Sequence, residues 1–129
     1  MTRIDHIGII VADLELAVKK LSVLFGEATM KELPDVGLRA AEFHTENVTI
    51  ELLQYTQGSE FARQVMGERL GLNHISARVE DVEQSISALK ANGFKPMPGF
   101  PREGAHGRVA FFEPDAVTGL LFEVCKSHD

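Results

Sequence analysis

Cysteine is nearly missing from this chain. The single one, Cys125, has no internal partner, so no intrachain disulfide can form, and a reducing compartment such as the cytoplasm is expected. Long apolar runs are missing too. Nothing approaches the ~20 residues a membrane span requires, and the N-terminus has no basic-then-apolar signal segment, so no membrane association is expected. Clustered positive charge is the third absence. The net charge is −6 with no basic run anywhere, which argues against nucleic acid as a partner. What is present is a mixture of 44% hydrophobic and 25% charged residues over 129 positions. That suits one globular domain with a sizeable core. An acidic protein of this kind still takes an anionic small molecule where a few Arg or Lys residues converge with a metal.

The chain repeats itself. Displaced by 68 positions, His6 falls on His74, Ile7 on Ile75, Val11 on Val79, Asp13 on Asp81, Glu15 on Glu83 and Leu21 on Leu89. Each copy runs from a short alternating segment through an Asp and an amphipathic stretch to Phe25-Gly26 or Gly93-Phe94. Two units of this size are too few for a solenoid, so a paired, pseudo-symmetric domain is expected. Repeat one spans about 3–55, a linking helix about 59–70, and repeat two about 72–125.

Each repeat reads as strand, helix, then three strands, an α+β pattern. Residues 4–11 alternate, with Ile7, Ile9 and Val11 on one face and His6, Gly8 and Ile10 on the other. Asp13 is placed to cap a helix whose apolar positions are Leu14, Ala17, Val18, Leu21 and Leu24, and Gly26 ends it. Residues 72–79 give the second opening strand. Asp81 and Gln84 have capping-box spacing ahead of Val82, Ile86 and Leu89. Further strands are expected at 38–44, 47–54, 94–97, 107–113 and 118–125. Residues 98–107, with three glycines and two prolines, read as a loop without regular structure.

Strand parity selects the candidate site. If the Ile7–Ile9–Val11 face packs on a helix, His6 points the other way beside Gly8; His74 shares the same parity with Ser76 and Arg78. Glu51 lies inside the apolar strand Thr49-Ile50-Glu51-Leu52-Leu53, and Glu123 lies inside Leu120-Leu121-Phe122-Glu123-Val124. A buried carboxylate needs a cation or strong hydrogen bonds. Two imidazoles and two carboxylates at repeated places would meet that need around one divalent metal. His6, Glu51, His74 and Glu123 are therefore the expected ligands.

These same residues carry a resemblance. The βαβββ repeat, with Ile4-Asp5-His6-Ile7-Gly8, Ile50-Glu51-Leu52-Leu53, Gly71-Leu72-Asn73-His74-Ile75, Gly104-Ala105-His106-Gly107, Val109 to Pro114 and Leu120-Leu121-Phe122-Glu123, resembles the vicinal oxygen chelate superfamily. Within it the chain is most similar to the methylmalonyl-CoA epimerases, over nearly its whole length. The resemblance implies two pseudo-symmetric βαβββ modules whose curved mixed sheets enclose a metal. By motif position it puts the ligands at the same four residues. It also implies a homodimer. In the strand after Gly37, where some epimerases are proposed to use a further glutamate, this chain has Ala40.

A metal at such a site acts as a Lewis acid on a thioester or hemithioacetal and stabilises the charge that develops as the adjacent C–H proton leaves. Glu51 and Glu123, expected on opposite sides of the ion, are the acid/base candidates. The expected activity is epimerisation of methylmalonyl-CoA or a similar acyl-CoA. A glyoxalase I-like lyase acting on a thiol conjugate and a metal-free, drug-sequestering binding protein are the alternatives. The donors suit Co, Ni, Mn, Zn or Mg without choosing among them. His106, Arg78 and Arg108 are candidates for substrate contact, whereas His44, His128 and Cys125 receive no role.

Overall fold

The computed structural model describes residues 2–126, so His128 lies outside the described residues. The described residues divide into two compact units, one made of residues 6–73 and the other of residues 2–5 with 74–126.

In the first unit β1 (Arg3–Ile10), which enters the unit at His6, leads into α1 (Leu14–Phe25), then β2 (Thr29–Leu33), a 3-10 turn at Pro34–Val36, β3 (Leu38–His44), β4 (Thr49–Tyr55) and α2 (Glu60–Met66). The strands lie in the order β2-β3-β4-β1, with β1 parallel to β4 and the other pairs antiparallel. Asp13 caps α1 by accepting the Leu16 amide at 3.1 Å. Gly26, at φ 84°, closes the helix with its N–H on the Ser22 carbonyl. The face α1 covers is apolar: Leu14, Ala41, Phe43 and Leu52 are buried there, with Ile9, Val11, Ala17, Val18, Leu21 and Phe25 against them. Leu24 was expected in that stripe but is exposed, and Phe25 takes the place, its ring 5.6 Å from that of Phe43. On the opposite face Ile10, Leu38, Ala40 and Leu53 pack under Ala62 of α2. Tyr55 holds that helix by donating to the Gly67 carbonyl at 2.5 Å, under the Arg63 guanidinium.

The second unit repeats the plan. β5 (Gly71–Arg78), α3 (Val82–Lys90), β6 (Arg102–Gly104), β7 (Gly107–Phe111) and β8 (Leu121–Lys126) follow in chain order. The strand order is β5-β8-β7-β6, again with one parallel pair, β5 with β8. Asp81 caps α3 through the Gln84 amide at 3.0 Å. Val82, Ala110, Phe112 and Val124 form the core beneath the helix, with Ile86, Leu89 and Phe94 packed on them. The α+β class and the doubled βαβββ topology are both as expected.

The differences have local causes. The strand expected at 94–97 is reduced to one bridge, Pro96 with Phe112, because proline has no N–H for a ladder. The stretch 98–107 does contain a strand: β6 pairs with β7, and Gly104 opposite Gly107 lets the hairpin close. The strand expected from 47 starts at Thr49 because the Thr45 hydroxyl and amide both turn back onto the Val48 carbonyl. The one expected from 118 starts at Leu121, since Asp115 holds the Thr118 amide and hydroxyl, each at 2.8 Å, in a turn. Thr29–Leu33, which lacks clean alternation, forms the outer strand of the first unit.

Candidate metal centre and its surroundings

In the first unit His6 and Glu51 share one sheet face. β1 and β4 are paired so that His6 stands opposite Thr49, and Gly8 opposite Glu51. Gly8 has no side chain to fill the space beside the carboxylate, and the His6 Nε2 lies 3.8 Å from a Glu51 oxygen. Both residues are buried, His6 at 1% exposure and Glu51 at 3%. The face is divided along its length. Its apolar half, with Ile10, Leu53, Ala40 and Leu38, lies under α2. Its polar half carries His6, Thr49, Glu51 and two residues of β3.

Those two residues are Glu42 and His44. Glu42 stands directly opposite Glu51 on the paired strand and is as buried, at 3%. Lys31 of β2 reaches it at 3.1 Å, and the His44 Nε2 lies 3.6 Å from the same oxygen. His44 in turn contacts the Thr49 hydroxyl at 3.2 Å. Sequence reasoning passed over Glu42. A signal was available: in Ala40-Ala41-Glu42-Phe43 a carboxylate interrupts a small, apolar strand, as Glu51 and Glu123 interrupt theirs.

In the second unit His74 and Glu123 occupy equivalent places. Ser76 is the cross-strand partner of Glu123, as Gly8 is of Glu51. His74 is 4% exposed and Glu123 5%. The strand partner of Glu123 on β7 is Phe111, which meets the His74 ring edge-on at 5.0 Å between centroids. Each unit thus presents a buried imidazole and a buried carboxylate at matched places on the sheet face away from its capped helix, and the first unit adds a second buried carboxylate, Glu42. The donors are nitrogen and oxygen, the set that suits a divalent ion. Burial of carboxylates at this depth is costly without a cation to offset it.

The remaining candidates are placed as follows. Arg78 makes a forked ion pair with Asp5, Nε at 2.9 Å and the terminal nitrogen at 2.5 Å. His106, at the tip between β6 and β7, lies 3.7 Å from the other Asp5 oxygen. Arg108 has the opposite parity. It shares the Ala110 and Phe112 face and pairs with Glu83 of α3 at 2.6 Å, which holds the Glu83 carboxyl below its ordinary value. Cys125 is buried on the Glu123 face. That burial, more than any neighbour, pushes its thiol up to about 12, as fits a packed thiol and not a nucleophile.

The sequence profile of the glyoxalase/bleomycin resistance protein/dioxygenase superfamily matches residues 5–112. The chain belongs to that superfamily. Among solved structures it is similar to a hypothetical protein from Bacillus halodurans, 30% identical, covering 99% of this chain and 96% of that one, with a TM-score of 0.83. It is also similar to a variant Streptomyces coelicolor methylmalonyl-CoA epimerase in complex with 2-nitronate-propionyl-CoA. That match is 27% identical over 100% of this chain and 99% of that one, with a TM-score of 0.78. The human mitochondrial methylmalonyl-CoA epimerase is 27% identical over 95% of this chain and 72% of its own length. The stretch matched by the superfamily profile takes in His6, Glu42, Glu51, His74 and His106 and ends before Glu123.

Proposed function

We propose that this superfamily member is a metal-dependent epimerase that exchanges the α-proton of methylmalonyl-CoA or a similar acyl-CoA. The observation that carries the reading is the buried His–Glu pair found at matched places in both units, His6 with Glu51 and His74 with Glu123. Similarity to epimerases, one of them holding an acyl-CoA analogue, supports the choice of substrate.

In this reading the four residues hold one divalent ion, drawn from Co, Ni, Mn, Zn or Mg. When bound, it supplies Lewis-acid stabilisation of negative charge on the thioester oxygen, worth several kcal/mol. The protein's own groups do the rest. In this reading Glu51 and Glu123, one from each unit, would serve as the acid/base pair, one taking the α-proton and the other returning one. The apolar packing beneath Leu53 and around Phe111 keeps water from the carboxylates and strengthens their electrostatic action. His106 and Arg78, linked through Asp5, would meet the substrate's anionic end, whereas Arg108 is engaged with Glu83 on the helix side of its sheet. A cytoplasmic homodimer completes the proposal.

Protein reconstituted with a divalent metal should incorporate deuterium at the α-carbon of methylmalonyl-CoA in heavy water, as followed by mass spectrometry. Glu123→Ala and Glu51→Ala should each abolish the incorporation. Incorporation no faster than background, with metal shown to be bound, overturns the reading and favours the lyase reaction on a thiol conjugate.

A further inference from the structure

The two units place Glu51 and Glu123 alike but flank them differently. Across the parallel strand pair, Glu51 stands opposite Gly8 in the first unit and Glu123 stands opposite Ser76 in the second. Ser76 is fully buried, and its hydroxyl oxygen makes no hydrogen bond. A buried hydroxyl without a partner is costly. The topology does not ask for one, since glycine fills the same place beside Glu51, and an alanine would avoid the cost. On its other side Glu123 has Phe111, whose ring packs against those of His74 and Phe100. A phenyl ring offers a carboxylate no hydrogen bond. Of the two cross-strand neighbours of Glu123, Ser76 alone carries a donor. The Cys125 thiol lies by the same hydroxyl, but sulfur is a weak acceptor beside a carboxylate.

We infer that Ser76 is a positioning residue whose hydroxyl donates to one oxygen of the Glu123 carboxylate and leaves the other for the ion. The inference rests on the metal centre of the proposed reading and adds the group that aims one of its ligands. Ser76, Glu123 and Phe111 all belong to the second unit. Neighbouring strands lie about 4.8 Å apart, and a serine hydroxyl is aimed by one torsion with three staggered settings. Ser76 therefore reaches the carboxylate opposite it without backbone movement. The hydroxyl keeps its proton, so no bond is made or broken in this role. A hydrogen bond from a hydroxyl to a carboxylate is of the stronger, charge-assisted kind, and groups that orient a ligand in this way are worth about 10–100-fold in metal affinity. Glu51, opposite Gly8, receives nothing of the kind from its parallel neighbour. Position 76 thus acts on one of the two carboxylates and not on its twin.

The test is a double-mutant cycle read by Co²⁺ titration to millimolar concentration, with the visible spectrum of the bound Co²⁺ and thermal unfolding of the metal-free protein beside it. Ser76→Ala should weaken Co²⁺ binding by about tenfold or more and alter the Co²⁺ spectrum, while the unfolding midpoint of the metal-free protein does not fall. Ser76→Thr, which keeps a hydroxyl, should restore both affinity and spectrum. In a Glu123→Ala background, where no carboxylate is left to orient, adding Ser76→Ala should change Co²⁺ affinity by less than about twofold. Wild-type affinity and spectrum in Ser76→Ala overturn the inference. So does a loss of the same size in the Glu123→Ala background, because Ser76 would then act through some other group. Failure of Ser76→Thr to restore binding, at a wild-type unfolding midpoint, also overturns it. A wild type that binds no Co²⁺ removes the metal centre and this inference with it. A wild type that binds Co²⁺ but does not exchange the α-proton of methylmalonyl-CoA overturns the epimerase reading alone, and the cycle still decides the role of Ser76.

Discussion

Arg39 joins three elements of the first unit with one side chain. From β3 its guanidinium reaches Glu15 of α1 at 2.5 Å and Glu32 of β2 at 3.0 Å. The Glu15 carboxyl is held below its ordinary value mainly by that Arg39 hydrogen bond. A depressed carboxyl contributes stability that is present above the unfolded-state value, ~4.3, and is lost as pH falls through the folded one. Both groups are solvent-exposed, so the contribution is small and salt-sensitive. Arg39→Gln should raise the Glu15 titration midpoint, read by NMR, back towards that of an unpaired glutamate. It should also flatten the acid limb of the stability curve between roughly pH 4 and the folded midpoint. An unchanged Glu15 midpoint in the variant would show that the pair does not persist in solution.

At the same scale, residue types reveal candidates but not their neighbours. His6, Glu51, His74 and Glu123 stood out because strand parity and the repeat constrain them together. Arg78 and Arg108 could not be told apart by type. One is drawn to Asp5, 73 residues away in sequence, and the other to Glu83 on the helix side of its sheet. Glu42 was missed because no second copy repeats it.

Among the elements, the helices are written locally and some of the strands are not. Asp13 and Asp81 announce α1 and α3, because capping involves residues three apart. Asp81→Ala should lower stability by about 1 kcal/mol in urea unfolding with little change in m-value, the usual cost of a lost cap. A loss below a few tenths would mean the cap is replaced by water at no cost. β2 and β6 were not legible because their pairing depends on β3 and β7 and not on their own alternation. Gly37 is a second local determinant. It adopts φ 69°, and a Cβ there would lie 2.5 Å from the Gly58 carbonyl carbon and Ser59 nitrogen. The clash is with backbone, so relief requires the α2 approach to move. Gly37→Ala should therefore destabilise by more than the ~1 kcal/mol typical of a strained backbone position alone, and a neutral outcome in the same unfolding assay would contradict that contact.

For the molecule as a whole, the repeat was the most informative feature of the sequence. It predicts two units of one topology, and the strand orders β2-β3-β4-β1 and β5-β8-β7-β6 agree with that, each with its single parallel pair. The proposed ion adds a thermodynamic consequence that neither unit has alone. If one ion draws ligands from both, its binding free energy is shared by both, and removing a ligand from one unit should weaken the other. At free metal ~100-fold above Kd, linkage gives about 2.7 kcal/mol, or roughly 10 °C in Tm for a domain of this size. Metal should also slow amide hydrogen exchange in β1 and β4 together with β5 and β8. In His6→Ala, where the substitution lies in the first unit, metal-induced protection of β5 and β8 should fall away as well. Protection of β5 and β8 that survives this substitution undiminished would mean that His74 and Glu123 bind metal independently of the first unit, and the shared ion would have to be abandoned.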